Sequence, residues 1–337
     1  MANDKRMSAE ELNDYHNKLL NQASNTVERG LKNIETPELY KLFLEHIGDL
    51  KGYSLNNTVL IHEQMPNATK LESYNDWQNN HELQVAARQK SIRIMKYEPY
   101  QIEADVEVID PKTNTILRDE NGMAITKKDI ITIPNFKTEA LFDVSQTNAK
   151  ENQFNEFSNI DKTVLIESVG AMTHQDITLT DDMNRDEVLQ QLIQELTEQS
   201  LDNKTDVFVK EATGIAMRIP KTEQVKLFEQ ESIKYAICQH YQVNMSPDRL
   251  LHVARELDKS DTSHFRGVLD AVHFGAISNI KTIDSRYKEQ LQEKVQNKEI
   301  QAPQKTSIMD KLAQNKDTII ANTKDKQIPT KSNEMGI

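Results

Sequence analysis

The spacing of apolar residues changes character at Trp77, and that change limits the folds open to this chain more than any other feature. Before it the spacing is helical. Ser8 and Glu11 stand three apart, the spacing of a capping box, and Leu12, Tyr15, Leu19, Leu20, Val27 and Leu31 follow at helical intervals over 8–33. Thr36-Pro37 predicts a second helix start, carrying Leu39, Leu42, Phe43 and Ile47 and ending near Gly48 or Gly52. A third helical segment, Leu55 to Met65, stops before Pro66. After Trp77 the pattern alternates: Gln84 to Tyr97 reads as strands, with Ile92 and Ile94 on one face and Arg93, Met95 and Tyr97 on the other. Ala104–Ile109, Thr113–Arg118 and Met123–Pro134 read as further β segments, separated by Asp110-Pro111 and by the turn Asp119–Gly122. Helices followed by a small antiparallel sheet define an α+β layout.

The second half reads as mainly helical: Arg185–Leu201, Thr222–Tyr241, Pro247–Leu257, and Ser263–Asn279 continuing to about Lys298. Residues 147–160 are polar and aperiodic and read as a linker. From Gln301 the chain is polar and lacks aromatics, and it reads as a disordered tail with a transient helix near Met309–Leu312. At 337 residues there is length for two domains, each with its own core.

Charge limits the partners. The formal net charge of -12 excludes a generally basic nucleic-acid coat and a membrane-surface protein held by bulk charge. It leaves room for a local basic patch, and Arg88, Lys90, Arg93 and Lys96 form one with no acid among them. Asp176 to Asp202 is the opposite case, rich in acids with Arg185 as its one cation. Either run also reads as an ordinary solvated face. The single cysteine, Cys238, rules out an intramolecular disulfide and fits a reducing compartment. Without a long apolar run, the expectation is a cytoplasmic protein with no membrane partner.

One segment is specific. Tyr53-Ser-Leu-Asn-Asn-Thr-Val-Leu-Ile-His-Glu-Gln64, with Pro66, Ala68-Thr69, Tyr74 and Trp77, resembles the N-terminal single-stranded-DNA-binding domain of ArdC-type antirestriction proteins. The shared pattern is Y-S-x-x-N-x-x-L-I-x-x-Q-x-P-x-A-T followed by Trp, and Leu141-Phe-Asp-Val-Ser-Gln-Thr147 is similar to the segment that closes that domain. Two features resemble the zinc-metallopeptidase domain that usually follows, as in LtrC-like relatives. Glu229–Cys238 matches one of its helices. Gln194-Glu195-Leu196-Thr197-Glu198 stands where H-E-x-x-H belongs, without either histidine. The resemblance implies a DNA-binding domain over 5–147, a degenerate zincin-like domain over 160–300, and a tail over 301–337.

Unselective single-strand binding needs cations for phosphates and aromatic faces for bases. Arg88, Lys90, Arg93 and Lys96 supply the first, with Lys51 and Lys70 as rim charges; Tyr53, Trp77 and Tyr97 are the stacking candidates, with Tyr74 and Tyr100 behind them. A Trp near an α-to-β junction, as Trp77 is, reads more often as core than as a platform. Asn57 and Gln64, two helical turns apart, could donate to DNA or fasten a neighbouring loop. The family's glycine-rich turn, V-x-x-G-E-K-G-I, appears here as Val85-Ala-Ala-Arg-Gln-Lys-Ser-Ile92, with Arg88 and Ser91 replacing both glycines.

In an H-E-x-x-H helix two imidazoles hold zinc and the glutamate polarises its water. Gln194 is a poor ligand. Glu198, with Glu231 or Glu229, would suit Mg2+ or Mn2+ better than zinc, and Glu195 is the residual catalytic candidate. The sequence expectation is a helix without metal or cofactor and a protein without catalysis. Three functions stand open: a mobile-element accessory protein that shields single-stranded DNA from host restriction, a metal-dependent hydrolase, and an acidic decoy that binds a host restriction enzyme or nuclease.

Overall fold

A computed structural model describes residues 8–111, 113, 115–150, 153–154, 159–210 and 216–301. The sequence expectation for the tail beyond 301 lies outside these residues. The architecture is α+β, with helices and, among the described residues, three small antiparallel sheets. One compact unit runs to Tyr287 and a second begins at Lys288.

Helix α1 (Ala9–Asn33) starts at the anticipated capping box: Glu11 N–H donates to Ser8 Oγ at 3.1 Å, and Ser8 N–H to Glu11 Oε2 at 2.7 Å. Helix α2 (Pro37–His46) has Pro in its first turn, although the Thr36 side chain makes no cap bond. Helix α3 (Leu55–Gln64) is capped by Ser54. Gly30 gives α3 its approach to α1, since a Cβ there would collide with Val59 and Glu63. Strand β1 (Leu71–Glu72) precedes α4 (Tyr74–His81), which Ser73 caps through the Asp76 N–H.

Strand β2 (Ile92–Tyr97) carries the expected alternation, with Ile92 and Ile94 buried. The expected strand from Gln84 does not extend that far back. Arg88 has a φ of +65°, left-handed backbone that no strand contains, so 84–91 is a turn apart from a single bridge at Val85. Strands β3 (Tyr100–Glu107) and β4 (Thr126–Ile133) form a ribbon of their own; Thr113–Arg118, expected as a strand, contributes only bridges at Ile116 and Arg118. Strand β5 (Phe136–Asp143), which the sequence did not reveal, is central to a sheet ordered β1-β5-β2.

The second half contributes α5 (Lys162–Met172), α6 (Arg185–Leu201), the hairpin β6 (Asp206–Lys210) and β7 (Ala216–Pro220), α7 (Glu223–His240), α8 (Asp248–Glu256) and α9 (Thr262–Gln301). Helices from the two halves share a core. α2 lies on α7 and α8, and Tyr40 stacks on Phe228 with ring centroids 5.1 Å apart. Thr58 of α3 meets His273 Nε2 of α9 at 3.0 Å.

Burial pushes the His273 pKa down to about 4, aided by the charge of Lys281, so the folded chain holds this ring neutral. The unfolded chain, with an ordinary value of 6.5, takes up a proton first. Stability from this contact is therefore complete above pH 6.5 and drains away as pH falls toward 4. The gap corresponds to about 3 kcal/mol. Substituting His273→Gln is expected to flatten the fall in unfolding free energy between pH 6.5 and 4, and an unchanged slope in denaturant titrations would refute it.

Candidate nucleic-acid interface

Motif blocks that are distant in sequence fasten strand β2 and the turn that precedes it. β2 pairs with β5 along one edge, which leaves the N–H and C=O groups of Arg93 and Met95 facing the other way. Side-chain amides of α3 complete that edge. Asn57 Nδ2 donates to Met95 O at 2.8 Å and its Oδ1 accepts from Met95 N at 2.9 Å. Gln64 does the same for Arg93, at 2.8 and 2.9 Å, and also donates to Leu60 O at 2.8 Å. The two-turn spacing thus serves to hold a strand, and both Gln64 donors are spent on backbone.

Asp143, buried, plays the matching part on the opposite side. Its carboxylate accepts from Thr69 N at 2.7 Å, Lys70 N at 3.2 Å and Ser145 N at 2.9 Å. Gln146 Oε1 accepts from Asp143 N at 2.8 Å, and its Nε2 donates to Lys90 O at 2.8 Å. Ala86 N donates to Gln146 O at 2.8 Å, and Gln84 and Asn148 bond reciprocally, so the F-D-V-S-Q-T segment fastens both ends of turn 84–91.

The turn forms one wall of an open cleft of about 640 Å³, with Tyr74, Phe142, Thr147 and Asn148 opposite. Tyr74 is half exposed and meets Phe142 edge-on at 6.3 Å. The N–H groups of Ala87, Arg88, Gln89 and Lys90 make no hydrogen bond among the described residues, and the Arg88, Lys90 and Arg93 side chains form no ion pair among them. Arg88, the free backbone donors of Ala87 and Gln89, and the Tyr74 and Phe142 rings therefore border one open space, with Lys90 and Arg93 following in sequence just outside its lining. Arg88 holds, in an arginine, the left-handed backbone that glycine adopts freely. That explains why glycine suits this position in the motif that the turn resembles.

Other sequence candidates fall elsewhere. Trp77 is fully buried and donates Nε1–H to Phe142 O at 2.8 Å, so it is a core residue and offers no stacking face. Tyr53 is half-buried against the core around Leu50 and Ile61; burial raises its pKa. Lys96 lies on the opposite strand face from Arg93 and pairs with Glu139 at 3.1 Å. Lys51 pairs with Asp284 at 2.5 Å, and Lys70 lies 4.4 Å from the Phe154 ring centroid. Tyr97 is exposed beside Phe136, away from the cleft residues. Phe142, Thr147 and Asn148 were missed as site residues; Ser73 and Asp76, which start a helix at Tyr74, were the available signal for that ring.

The helix pair α6–α7 does not fit a metal. Glu198 accepts from Gln194 at 3.0 Å and from Gln230 at 2.6 Å, and the Lys234 ammonium donates to Gln194 Oε1 at 2.9 Å. The Lys234 ammonium thus takes up the Gln194 oxygen, the only atom that side chain could offer a cation. Glu231 faces the other way and pairs with Arg249 at 2.6 Å, so it does not join Glu198. Glu195 accepts from Gln175 and Gln199. Among the described residues no three His, Cys, Asp or Glu side chains are grouped as metal ligands.

No family model matches the chain, and no curated protein does. Among solved structures, the metal-free crystal structure of the antirestriction ArdC protein from the R388 plasmid is similar at 12% identity, with a TM-score of 0.32, covering 70% of this chain and 86% of that one. Among the described residues no helix is long and apolar enough to cross a membrane.

Proposed function

We propose that this chain binds single-stranded DNA at turn 84–91 and, as an accessory protein of a mobile element such as a conjugative plasmid, shields that DNA from host restriction without catalysis. The observation that carries the reading is the turn and its cleft: Arg88, the open backbone N–H groups and the Tyr74 and Phe142 rings at the cleft, with Lys90 and Arg93 close by in sequence and likewise without ion pairs among the described residues. Phosphates take the cations and the N–H groups, and bases stack on the rings. The resemblance of the motif blocks to the ArdC-type domain supports the same ligand. On a chain of net charge -12 only this local patch attracts DNA, so affinity is modest and strongly salt-dependent.

Three phosphate contacts correspond to a slope of about -2 in log K against log salt for a single strand. Fluorescence anisotropy of a labelled oligo(dT) between 50 and 200 mM salt (roughly a fourfold range) is expected to give that slope. Affinity that is undetectable at the low end, or indifferent to salt, would overturn the reading.

A further inference from the structure

A second surface with related chemistry lies in the other half of the chain. β6 and β7 pair from Asp206 opposite Pro220 to Lys210 opposite Ala216. Val207 and Val209 are buried, so Asp206, Phe208 and Lys210 alternate to the outside, with Arg218 directly across from Phe208. Gly267 of α9 permits this hairpin to sit close, because a Cβ there would lie 2.6 Å from Phe208 O. Phe208 is 58% exposed, and the Arg218 guanidinium lies 5.3 Å from its ring centroid. Phe274 is seven residues past Gly267, hence on nearly the same side of α9 and about 10 Å along it. It is 66% exposed, with Lys204 Nζ 5.6 Å from its ring centroid.

Lys204, Lys210 and Arg218 form no ion pair among the described residues; Asp206 is the one acid among them on the outer face of the hairpin, and Asp270 of α9 lies near enough to Lys210 to feel its charge. Two phenylalanines left in water each cost free energy that a flat apolar ligand would recover. The adjoining cations select a ligand that also carries negative charge. A single nucleic-acid strand offers both, as stacked bases on a phosphate backbone.

We propose that Phe208 and Phe274, with Lys204, Lys210 and Arg218, form a second contact for single-stranded DNA, separate from the cleft at turn 84–91. The inference takes its ligand from the reading above and stands on its own residues. Photocrosslinking of the full chain to an oligo(dT) containing 5-iodouracil, with peptide mapping by mass spectrometry, tests it. Crosslinks are expected on Phe208 or Phe274 as well as on the cleft peptides. Phe208→Ser combined with Arg218→Ser should weaken binding of a long oligonucleotide about tenfold while leaving the melting temperature unchanged. Crosslinks confined to the cleft, with unaltered affinity in that variant, would overturn the second contact alone. Crosslinks on the hairpin and none on the cleft would support it and overturn the cleft reading. No crosslink at all would overturn both, and a variant whose only change is in self-association would overturn the second contact.

Discussion

Replacing Lys221 by methionine is expected to lower the unfolding free energy by about 3–5 kcal/mol. Lys221 Nζ lies 2.6 Å from Glu229 Oε2, and both side chains are almost wholly removed from water. Burial pushes the Glu229 pKa up against the pull of Lys221, and its second oxygen has no hydrogen-bond partner. Removing the ammonium leaves a carboxyl in the core that must either stay charged at great cost or take up a proton. Denaturant titration measures the loss. Adding Glu229→Leu to the variant should restore most of it, because two apolar side chains need no mutual neutralisation. A loss below about 1 kcal/mol in the single variant would mean that water reaches Glu229 and the pair behaves as a surface one.

Charge reversal in the turn is the second large effect. Arg88→Glu with Lys90→Glu should reduce affinity for single-stranded DNA about 10- to 100-fold at low salt, since each change turns an attraction of roughly 1 kcal/mol into a repulsion of similar size before screening. Both side chains are exposed, so folding should be indifferent. Arg88→Gly separates charge from backbone. It removes one cation while relieving left-handed strain of about 1 kcal/mol, so stability should hold or rise as affinity falls. If the double variant binds as well as the parent chain, the phosphates lie elsewhere.

The local parts of this fold were legible in the sequence. Ser8 with Glu11, Pro37, and the alternation of Ile92 and Ile94 each describe an interaction between near neighbours, and each recurs in the structure. β5 was not legible because Phe136–Asp143 has no clean alternation and owes its strand to pairing with β2 across forty residues. α5 escaped because its residues are apolar nearly all round, which erases the helical stripe. At the site, the spacing of Asn57 and Gln64 correctly placed both amides on one side of a helix. What they hold, the backbone of Arg93 and Met95, is a tertiary fact no spacing contains. Trp77 shows the same limit from the other side, since the sequence left a stacking role open beside the core reading until its burial was known.

The contacts of Lys234 carry a consequence for any attempt to install metal chemistry here. From the sequence, two substitutions, Gln194→His and Glu198→His, look sufficient to regenerate a zinc-binding helix. The structure makes them insufficient: Lys234 and Gln230 reach across from α7, and an imidazole introduced at position 194 would face a fixed positive charge. A neutral imidazole there accepts from the ammonium with the nitrogen a metal would need, so lysine and metal compete for one atom. A metal at this helix pair would therefore have to displace Lys234 as well as find its histidines, which makes one lysine the incumbent of the site.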